Sequence, residues 1–186
     1  IPPPFNASLK TDLKIVNARA YGAKGDGTTD DTAALRAALA VIPAGGGTLL
    51  LPCGTYVLTK TSDNYGALPI NVSNVTVQGT ARDCAVLTFP NTTTDAALIG
   101  ICTSGSPTCN NITIRDLTLD GNGANWSATG THYGILRGTV GTSDHGLIDN
   151  VVVKNFGNGT NIAKNPIQLD RLWNDWTVSN SVFLGN

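Results

Sequence analysis

Charged residues are scarce in this sequence, aromatic residues are few, and methionine is absent. Only 13% of the 186 residues are charged, the formal net charge is −1, and there is no basic run. Binding to nucleic acid or to an anionic membrane surface is not expected, since both need clustered positive charge. No apolar run approaches the length of a membrane span. The start at Ile1 without a charged-then-apolar leader, together with the missing methionine, is expected of a processed secreted chain or of a fragment.

The residues that are abundant favour β-structure. Hydrophobic residues make up 41% of the chain, which is enough to bury one continuous core in a single domain. Twenty-one glycines, nine prolines and many threonines and asparagines are typical of numerous short strands joined by turns. The composition therefore predicts an all-β fold.

The chain contains an even set of four cysteines, Cys53, Cys84, Cys102 and Cys109. The sequence alone allows three ways of pairing them. Cys102 and Cys109 bracket a short segment, and pairing them leaves Cys53 and Cys84 to each other. Disulfides favour an oxidising compartment, so we expect a secreted protein.

Seven Asn-x-Ser/Thr sequons indicate a glycoprotein, and together with paired cysteines they favour a eukaryotic secretory origin. Six of them are predicted glycosylation sites: Asn6, Asn71, Asn91, Asn111, Asn125 and Asn158. The seventh begins at Asn74, which we expect to turn inward at a tight bend and to be a poor acceptor.

The polar clusters predict neither a metal site nor a cofactor. A zinc site is less favoured than disulfides, because there is no Cys-x-x-Cys spacing and the sequence has only two histidines, His132 and His145. The carboxylates of Asp26, Asp30 and Asp31 fit the positive end of a helix better than an acid/base pair.

Four segments of the sequence can be laid over one another without gaps. Each consists of two short strands separated by a two-residue turn, and loops of variable length separate the segments, as in a solenoid whose insertions lie on one side. The segments are residues 70–80, 112–122, 146–156 and 176–186.

The turn of each segment carries Asn or Asp, at Asn74, Asp116, Asn150 and Asn180. A sharp bend between parallel strands needs a residue in or near the left-handed region, which Asn and Asp tolerate best after glycine. Stacked on successive coils, these side chains are predicted to form a hydrogen-bonded ladder, and four ordinary surface turns are the alternative.

The chain divides into three predicted parts. Residues 1–16 form an extended arm and first strand, residues 17–47 form a capping segment with a helix over about 30–42, and residues 48–186 form the coils of the solenoid. The helix is predicted to close the N-terminal end of the core.

The helix prediction depends on a capping signal and an apolar face. Thr29 or Asp30 can cap the helix, while Leu35, Leu39 and Ile42 fall on one side of it. The apolar side should face the core of the solenoid.

Two stretches carry a family resemblance: YGAKGDGTTDDTAAL from Tyr21 and GGGTLLLPCGTY from Gly45. They resemble the N-terminal signature of the pectate lyase-like superfamily, which includes polygalacturonases, rhamnogalacturonases and phage tailspike domains. The resemblance covers residues 14–80, and the coil pattern extends it to the end of the chain. It implies a right-handed single-stranded parallel β-helix with an N-terminal capping α-helix, and activity on acidic polysaccharides.

The catalytic motifs of polygalacturonase-like relatives are not found in suitable positions of this chain. The nearest match to their histidine motif is Asp144-His145-Gly146. Aligning 134–138 with 167–171 places Arg137 beside Asp170 on the outer face of neighbouring coils, where the family binds sugar chains. They are the candidate catalytic residues, and a surface ion pair is the alternative.

Aromatic and polar residues near this pair form a candidate substrate-binding patch. Aromatic faces with polar edges suit sugar rings, although loop packing would use the same residues. The predicted substrate-binding residues are Arg171, His132, Tyr133, Trp126 and Trp173.

Two functions of different class follow from these features. The first is a secreted pectinase-like hydrolase or lyase acting on acidic polysaccharide. The second is a non-catalytic structural or adhesive glycoprotein that assembles into a homo-oligomer or filament. In that case the apolar arm at Ile1–Asn6 would reach the uncapped last coil, 176–186, of a neighbouring copy.

Overall fold

A computed structural model describes residues 14–60, 66–90, 96–103, 108–125, 131–137, 143–157, 166–168 and 175–185. This part of the chain contains fourteen strands, one α-helix, α1 (Thr32–Ala40), and two short 3₁₀ helices, Ala18–Tyr21 and Gly123–Asn125. The strands are β1 (Lys14–Asn17), β2 (Asp26–Asp30), β3 (Gly47–Leu51), β4 (Gly54–Val57), β5 (Gly66–Ile70), β6 (Val75–Gly79), β7 (Ala85–Thr88), β8 (Ala96–Ile101), β9 (Thr113–Asp120), β10 (His132–Arg137), β11 (Gly146–Lys154), β12 (Ile167–Gln168), β13 (Trp176–Ser179) and β14 (Val182–Leu184).

The strands form a right-handed parallel β-helix, as the family resemblance implies, and this β-helix has three faces. The first face contains β1, β3, β6, the first halves of β9 and β11, and β13. The second face contains β2, β4, β7, the second halves of β9 and β11, and β14. The third face contains β5, β8, β10 and β12. Each coil visits the three faces in this order.

The core is built from columns of apolar side chains stacked from coil to coil. On the first face Leu49 is in register with Val77, Val77 with Ile114, and Ile114 with Ile148, and all four are fully buried. Neighbouring strands lie about 4.8 Å apart, so these side chains pack directly on one another. Each such burial stabilises the fold by roughly 1.5–3 kcal/mol.

Helix α1 covers the N-terminal end of the core, in the place of a third-face strand in the first coil. The predicted apolar side is buried at Leu35 and Leu39. Arg36 joins the helix to β5, since its Nε donates to the Ala67 carbonyl at 2.7 Å and its Nη2 to the Gly66 carbonyl at 3.2 Å.

The helix begins later than the sequence predicts, and its N-terminal contacts explain why. Asp30 accepts a hydrogen bond from the backbone N–H of Thr32 at 2.9 Å. Asp31 is buried and accepts from the backbone N–H groups of Lys24 at 2.6 Å and Gly25 at 3.0 Å. Asp31 therefore holds the preceding loop against the helix start, while Asp30 satisfies a helical amide.

The gapless alignment of the four segments is correct for the last three and wrong for the first. Thr76 is in register with Thr113, and Val77 with Ile114, whereas the alignment of 70–80 with 112–122 put Val77 opposite Leu119. Both registers match an alternating apolar and polar strand. The connection from β6 to β7 distinguishes the two registers. It lies at the corner between the first and second faces, which β9 passes without a break.

Three of the four predicted ladder residues lie at one corner, and among these three a direct hydrogen bond joins Asp116 and Asn150, whereas Asn180 bonds to Asp149 instead. Asp116, Asn150 and Asn180 adopt left-handed backbone conformations with φ of 55°, 54° and 48°. Asn150 Nδ2 donates to Asp116 Oδ1 at 2.8 Å, while Asn180 Nδ2 donates to Asp149 Oδ1 at 2.8 Å. Asn74 lies at a different corner, because its segment is in the other register.

Both disulfides form as the close spacing of two of the cysteines suggests. Cys53–Cys84 joins the connections between the first and second faces in two successive coils, and Cys102–Cys109 lies within the connection from β8 to β9. The first closes a separation of 31 residues and the second a separation of 7.

Candidate functional site

Long connections border the third face on both sides. In the complete coils the connections that enter or leave this face contain from four to twelve residues. At the corner between the first and second faces, β9 and β11 continue without a break, and the connections that follow β3, β6 and β13 contain two to five residues. The first coil differs, because residues 18–25 join β1 to β2 at this corner. Insertions in solenoids collect on the side that carries function. The third face is therefore the floor of a candidate groove.

One side of this groove is a hydrogen-bonded wall, which we call the rim. It consists of the described residues of the connections that leave the third face: 71–74, 102–103, 108–112, 143–145 and 175. The Asn71 Oδ1 atom accepts a hydrogen bond from the Thr103 backbone N–H at 3.0 Å. Contacts of this kind tie each coil of the rim to the next.

Asn110 is the centre of the rim because it contacts the coils on both sides. Its backbone N–H donates to Ser73 Oγ at 2.9 Å, and its carbonyl accepts from the Asn74 N–H at 2.8 Å. Its side-chain Oδ1 accepts from the Asp144 N–H at 3.0 Å. One residue thus fixes the relative positions of three coils.

The rim continues through Ser143 to the next coil. Ser143 Oγ is buried and donates to the Cys109 carbonyl at 2.7 Å, while the Ser143 carbonyl accepts from Trp176 Nε1 at 3.2 Å. The Asn111 N–H donates to the Asp144 carbonyl at 3.0 Å. The wall is therefore continuous over four coils.

A column of left-handed residues forms the outer edge of the rim. Asn74, Asn111, His145 and Asp175 adopt φ of 60°, 56°, 57° and 57°. Each lies within two residues of the start of a first-face strand, and Gly46, with φ of 104°, holds the same place before β3. Asn111 Nδ2 donates to Asn74 Oδ1 at 2.8 Å. His145 Nε2 lies 3.4 Å from Asp175 Oδ2, and the two side chains are 64% and 73% exposed.

His132 does not contribute to a sugar-binding surface as predicted. It is fully buried, and its ring packs edge-on against Phe89 with the centroids 5.5 Å apart. His132 is the first residue of β10, and its side chain is buried in the apolar core. Tyr133 is half-buried on the third face and stays a candidate contact. His145 is consequently the accessible one of the two imidazoles.

The register that placed Arg137 beside Asp170 is off by one residue. Ile135 pairs with Ile167, whereas the prediction put Ile167 opposite Gly134. Because side chains alternate between the two sides of a strand, a shift of one residue separates such a pair. The side chain of Arg137 lies outside the described part of the structure. The following predicted residues also lie outside it: Asp170, Arg171, Trp126 and Trp173.

A second polar cluster lies on the outside of the first face, and its carboxylates accept hydrogen bonds from neighbouring side chains. Hydrogen bonds from Ser179 Oγ and Asn180 Nδ2 hold the pKa of the Asp149 carboxyl below its usual value, and Arg115 adds to this. Arg115 Nε also donates to Asp116 Oδ2 at 2.7 Å. The hydrogen bonds of this cluster therefore link successive coils.

Neither a metal centre nor a membrane span emerges from the described residues. Within the ranges given above, no three His, Cys, Asp or Glu side chains come together as metal ligands would. Helix α1, the single α-helix in those ranges, is too short to cross a bilayer.

Two of the six predicted glycosylation sites, Asn71 and Asn111, lie in the described part of the structure together with their side chains. Asn111 is exposed and Asn71 is half-buried. Asn74, expected to turn inward, is exposed, because it belongs to the rim and not to the predicted ladder. Three predicted sites, and the side chain of a fourth, lie outside the described residues: Asn6, Asn91, Asn158 and Asn125.

The rim residues Ser73, Asn110 and Ser143 were not found from the sequence, and Asp144 was noted only beside His145 as the nearest match to the histidine motif. Their signal is a short polar pair before each first-face strand, such as Asn110-Asn111 and Asp144-His145. Aligning Val75 with Ile112 would have stacked these pairs. The gapless alignment concealed them by placing Asn74 with Asp116.

Comparison with known proteins connects this architecture to carbohydrate-active proteins. The model of the family described as rhamnogalacturonase A/epimerase, pectate lyase-like, matches residues 15–159. Mannuronan C5-epimerase AlgE4 of Azotobacter vinelandii is 33% identical over 143 residues, which cover 74% of this chain and 26% of that protein. Alginate lyase 7 of the same bacterium is 34% identical over 142 residues, covering 74% of this chain and 16% of that protein.

Solved structures agree on the fold. The A-module of mannuronan C5-epimerase AlgE4 from Azotobacter vinelandii superposes with a TM-score of 0.67 at 26% identity, covering 93% of this chain and 50% of that chain. The A-module of AlgE6 gives a TM-score of 0.63 at 30% identity, covering 74% of this chain and 37% of the other. The chain thus spans at most half of these structures and about a quarter or less of the two curated proteins.

Proposed function

Because this chain belongs to the rhamnogalacturonase A/epimerase, pectate lyase-like family, we propose that it binds an acidic polysaccharide, a polymer of uronic acids, along the third face. The observation that carries the proposal is that, from β3 onward, connections longer than five residues are confined to the two borders of that face. A groove with a rigid wall suits a chain-like ligand, since pre-organised contacts lower the entropy cost of binding.

The chemical class of the ligand is inferred from the relatives. Their names specify mannuronan and alginate, which are polymers of uronic acids. Two disulfides favour an oxidising, extracellular setting, where such polysaccharides occur. We therefore propose mannuronan and related polyuronates as ligands, with Tyr133 as a contact on the groove floor.

A reaction at C5 of a uronate begins with removal of the hydrogen beside the carboxylate. This step needs a base near that carbon and positive charge near the carboxylate. Among the described residues, we assign the base to His145, whose Nε2 lies 3.4 Å from Asp175 Oδ2 and whose imidazole can accept a proton. Arg137 and Asp170 stay the sequence-derived candidates for charge neutralisation and acid/base chemistry.

Binding is tested by affinity electrophoresis and calorimetry of this chain with mannuronan, polygalacturonate and, as a neutral control, dextran. We expect mannuronan or polygalacturonate to bind and dextran not to bind. Tyr133→Ala should weaken binding, whereas Thr76→Ala, on the outside of the first face, should not. Equal affinity for dextran, or no affinity for either polyuronate, would refute the proposal.

Turnover is tested separately from binding. Unsaturated ends, reducing ends and the C5 configuration of the polymer are followed by ultraviolet absorbance, a reducing-sugar assay and proton NMR. If a product forms, His145→Gln should slow its formation while leaving affinity unchanged. Binding without any product would instead favour the non-catalytic adhesive function.

A further inference from the structure

We infer that the Cys102–Cys109 disulfide positions the rim through Asn110 and thereby sets the affinity for the polysaccharide. The inference rests on the proposed function, because the rim borders the proposed groove. It assigns this crosslink a role in binding that the other disulfide does not share.

The two cysteines of this disulfide are hydrogen-bonded to different coils, Cys102 to the preceding coil and Cys109 to the following one. The Cys102 N–H donates to the Ile70 carbonyl at 2.9 Å, at the end of a third-face strand. The Cys109 carbonyl accepts from Ser143 Oγ at 2.7 Å, in the next coil. Both cysteines are fully buried. The crosslink therefore ties the groove floor on one side to the following coil of the wall on the other.

Asn110 follows Cys109 directly, so the disulfide fixes its position. The connection from β8 to β9 contains eleven residues, the longest of those that leave the third face. Without a crosslink a connection of this length has many conformations, and few of them present Asn110 to Ser73, Asn74 and Asp144 at once. The hydrogen bonds of the rim would then compete with solvent.

The second disulfide provides a matched control. Cys53–Cys84 lies at the corner between the first and second faces. The Cys53 carbonyl accepts from Arg19 Nη2 at 2.8 Å, and the Cys84 carbonyl accepts from the Gly54 N–H at 2.7 Å. None of these contacts reaches the rim. Removal of the Cys53–Cys84 disulfide should therefore lower the stability of the fold without affecting the groove.

The experiment compares Cys102→Ala/Cys109→Ala with Cys53→Ala/Cys84→Ala in this chain, at a temperature where both variants are folded. Alanine is used because Cys102 and Cys109 are buried and a serine hydroxyl there would lack solvent. For mannuronan we expect the first variant to bind about three- to tenfold more weakly, because binding must then also order the rim, which costs conformational entropy. The second variant should bind like the parent. Asn110→Ala should reproduce the weaker binding.

Hydrogen–deuterium exchange separates failure of this inference from failure of the proposed function. Faster exchange of the Asn74, Asn111 and Asp144 amides in the Cys102→Ala/Cys109→Ala variant alone would support the positioning role, even if the parent chain does not bind mannuronan. Unchanged exchange at these amides would overturn the inference. So would parental affinity in the first variant, or an equal loss of affinity in both.

Discussion

Replacing Ile114 by alanine tests the packing of the first face. Ile114 is fully buried between Val77 and Ile148 in successive coils. Truncating a buried isoleucine to alanine costs about 2–5 kcal/mol, since the rigid strands on both sides cannot close the cavity. For a chain of this size each kcal/mol lowers the melting temperature by about 2–4 °C, so a loss near the middle of that range corresponds to a fall of about 10 °C.

The neighbouring Thr113 supplies the control, because its side chain points to the opposite side of the strand and is half-exposed. Thr113→Ala should change the stability by no more than about 0.5 kcal/mol. Thermal and urea unfolding followed by circular dichroism measure both variants. If Ile114→Ala cost less than Thr113→Ala, the strand would present its other side to the core, and the register described above would be refuted.

Three further perturbations follow from individual contacts. Gly46→Ala should destabilise the chain by about 1–3 kcal/mol, because φ is 104° and a Cβ there would clash with the carbonyl oxygen and the Cβ of Asn74. Gly45→Ala should be nearly neutral, since a Cβ there meets open space; equal melting temperatures of the two variants would contradict this. Arg36→Ala should cost about 1–3 kcal/mol by leaving two carbonyls without their charged donor, and Arg36→Lys should restore only part of it. Hydrogen bonds from Thr29 and Thr28 lower the pKa of Asp26. The ionised Asp26 carboxylate therefore stabilises the folded chain above about pH 4, and this stabilisation is lost on acidification. Asp26→Ala should accordingly make the free energy of unfolding less sensitive to acid.

The fold could be predicted because its signals are local and repeated. Alternating apolar residues in 112–122, 146–156 and 176–186 give the strands, and their turn residues Asp116 and Asn150 give one corner. The capping helix follows from an apolar face at Leu35 and Leu39. Each of these features depends on short-range sterics and burial, which the sequence displays directly.

The site could not be predicted as well, because it depends on which coil lies beside which. Val77 satisfies the alternation opposite Ile114 and opposite Leu119 alike, so the pattern alone could not choose the register. The observed register places Asn74 in the rim and not in the predicted ladder. His132 was misjudged for a related reason, since burial against Phe89 arises only when the strands are stacked.

The proposed groove is tested most directly by hydrogen–deuterium exchange of this chain with and without mannuronan. We predict protection of the rim amides Asn74, Asn111 and Asp144 and of Tyr133 on the groove floor, with no change at Thr118 on the second face. Protection confined to the second face, or no protection at saturating mannuronan, would contradict the assignment of the third face as the polysaccharide-binding surface.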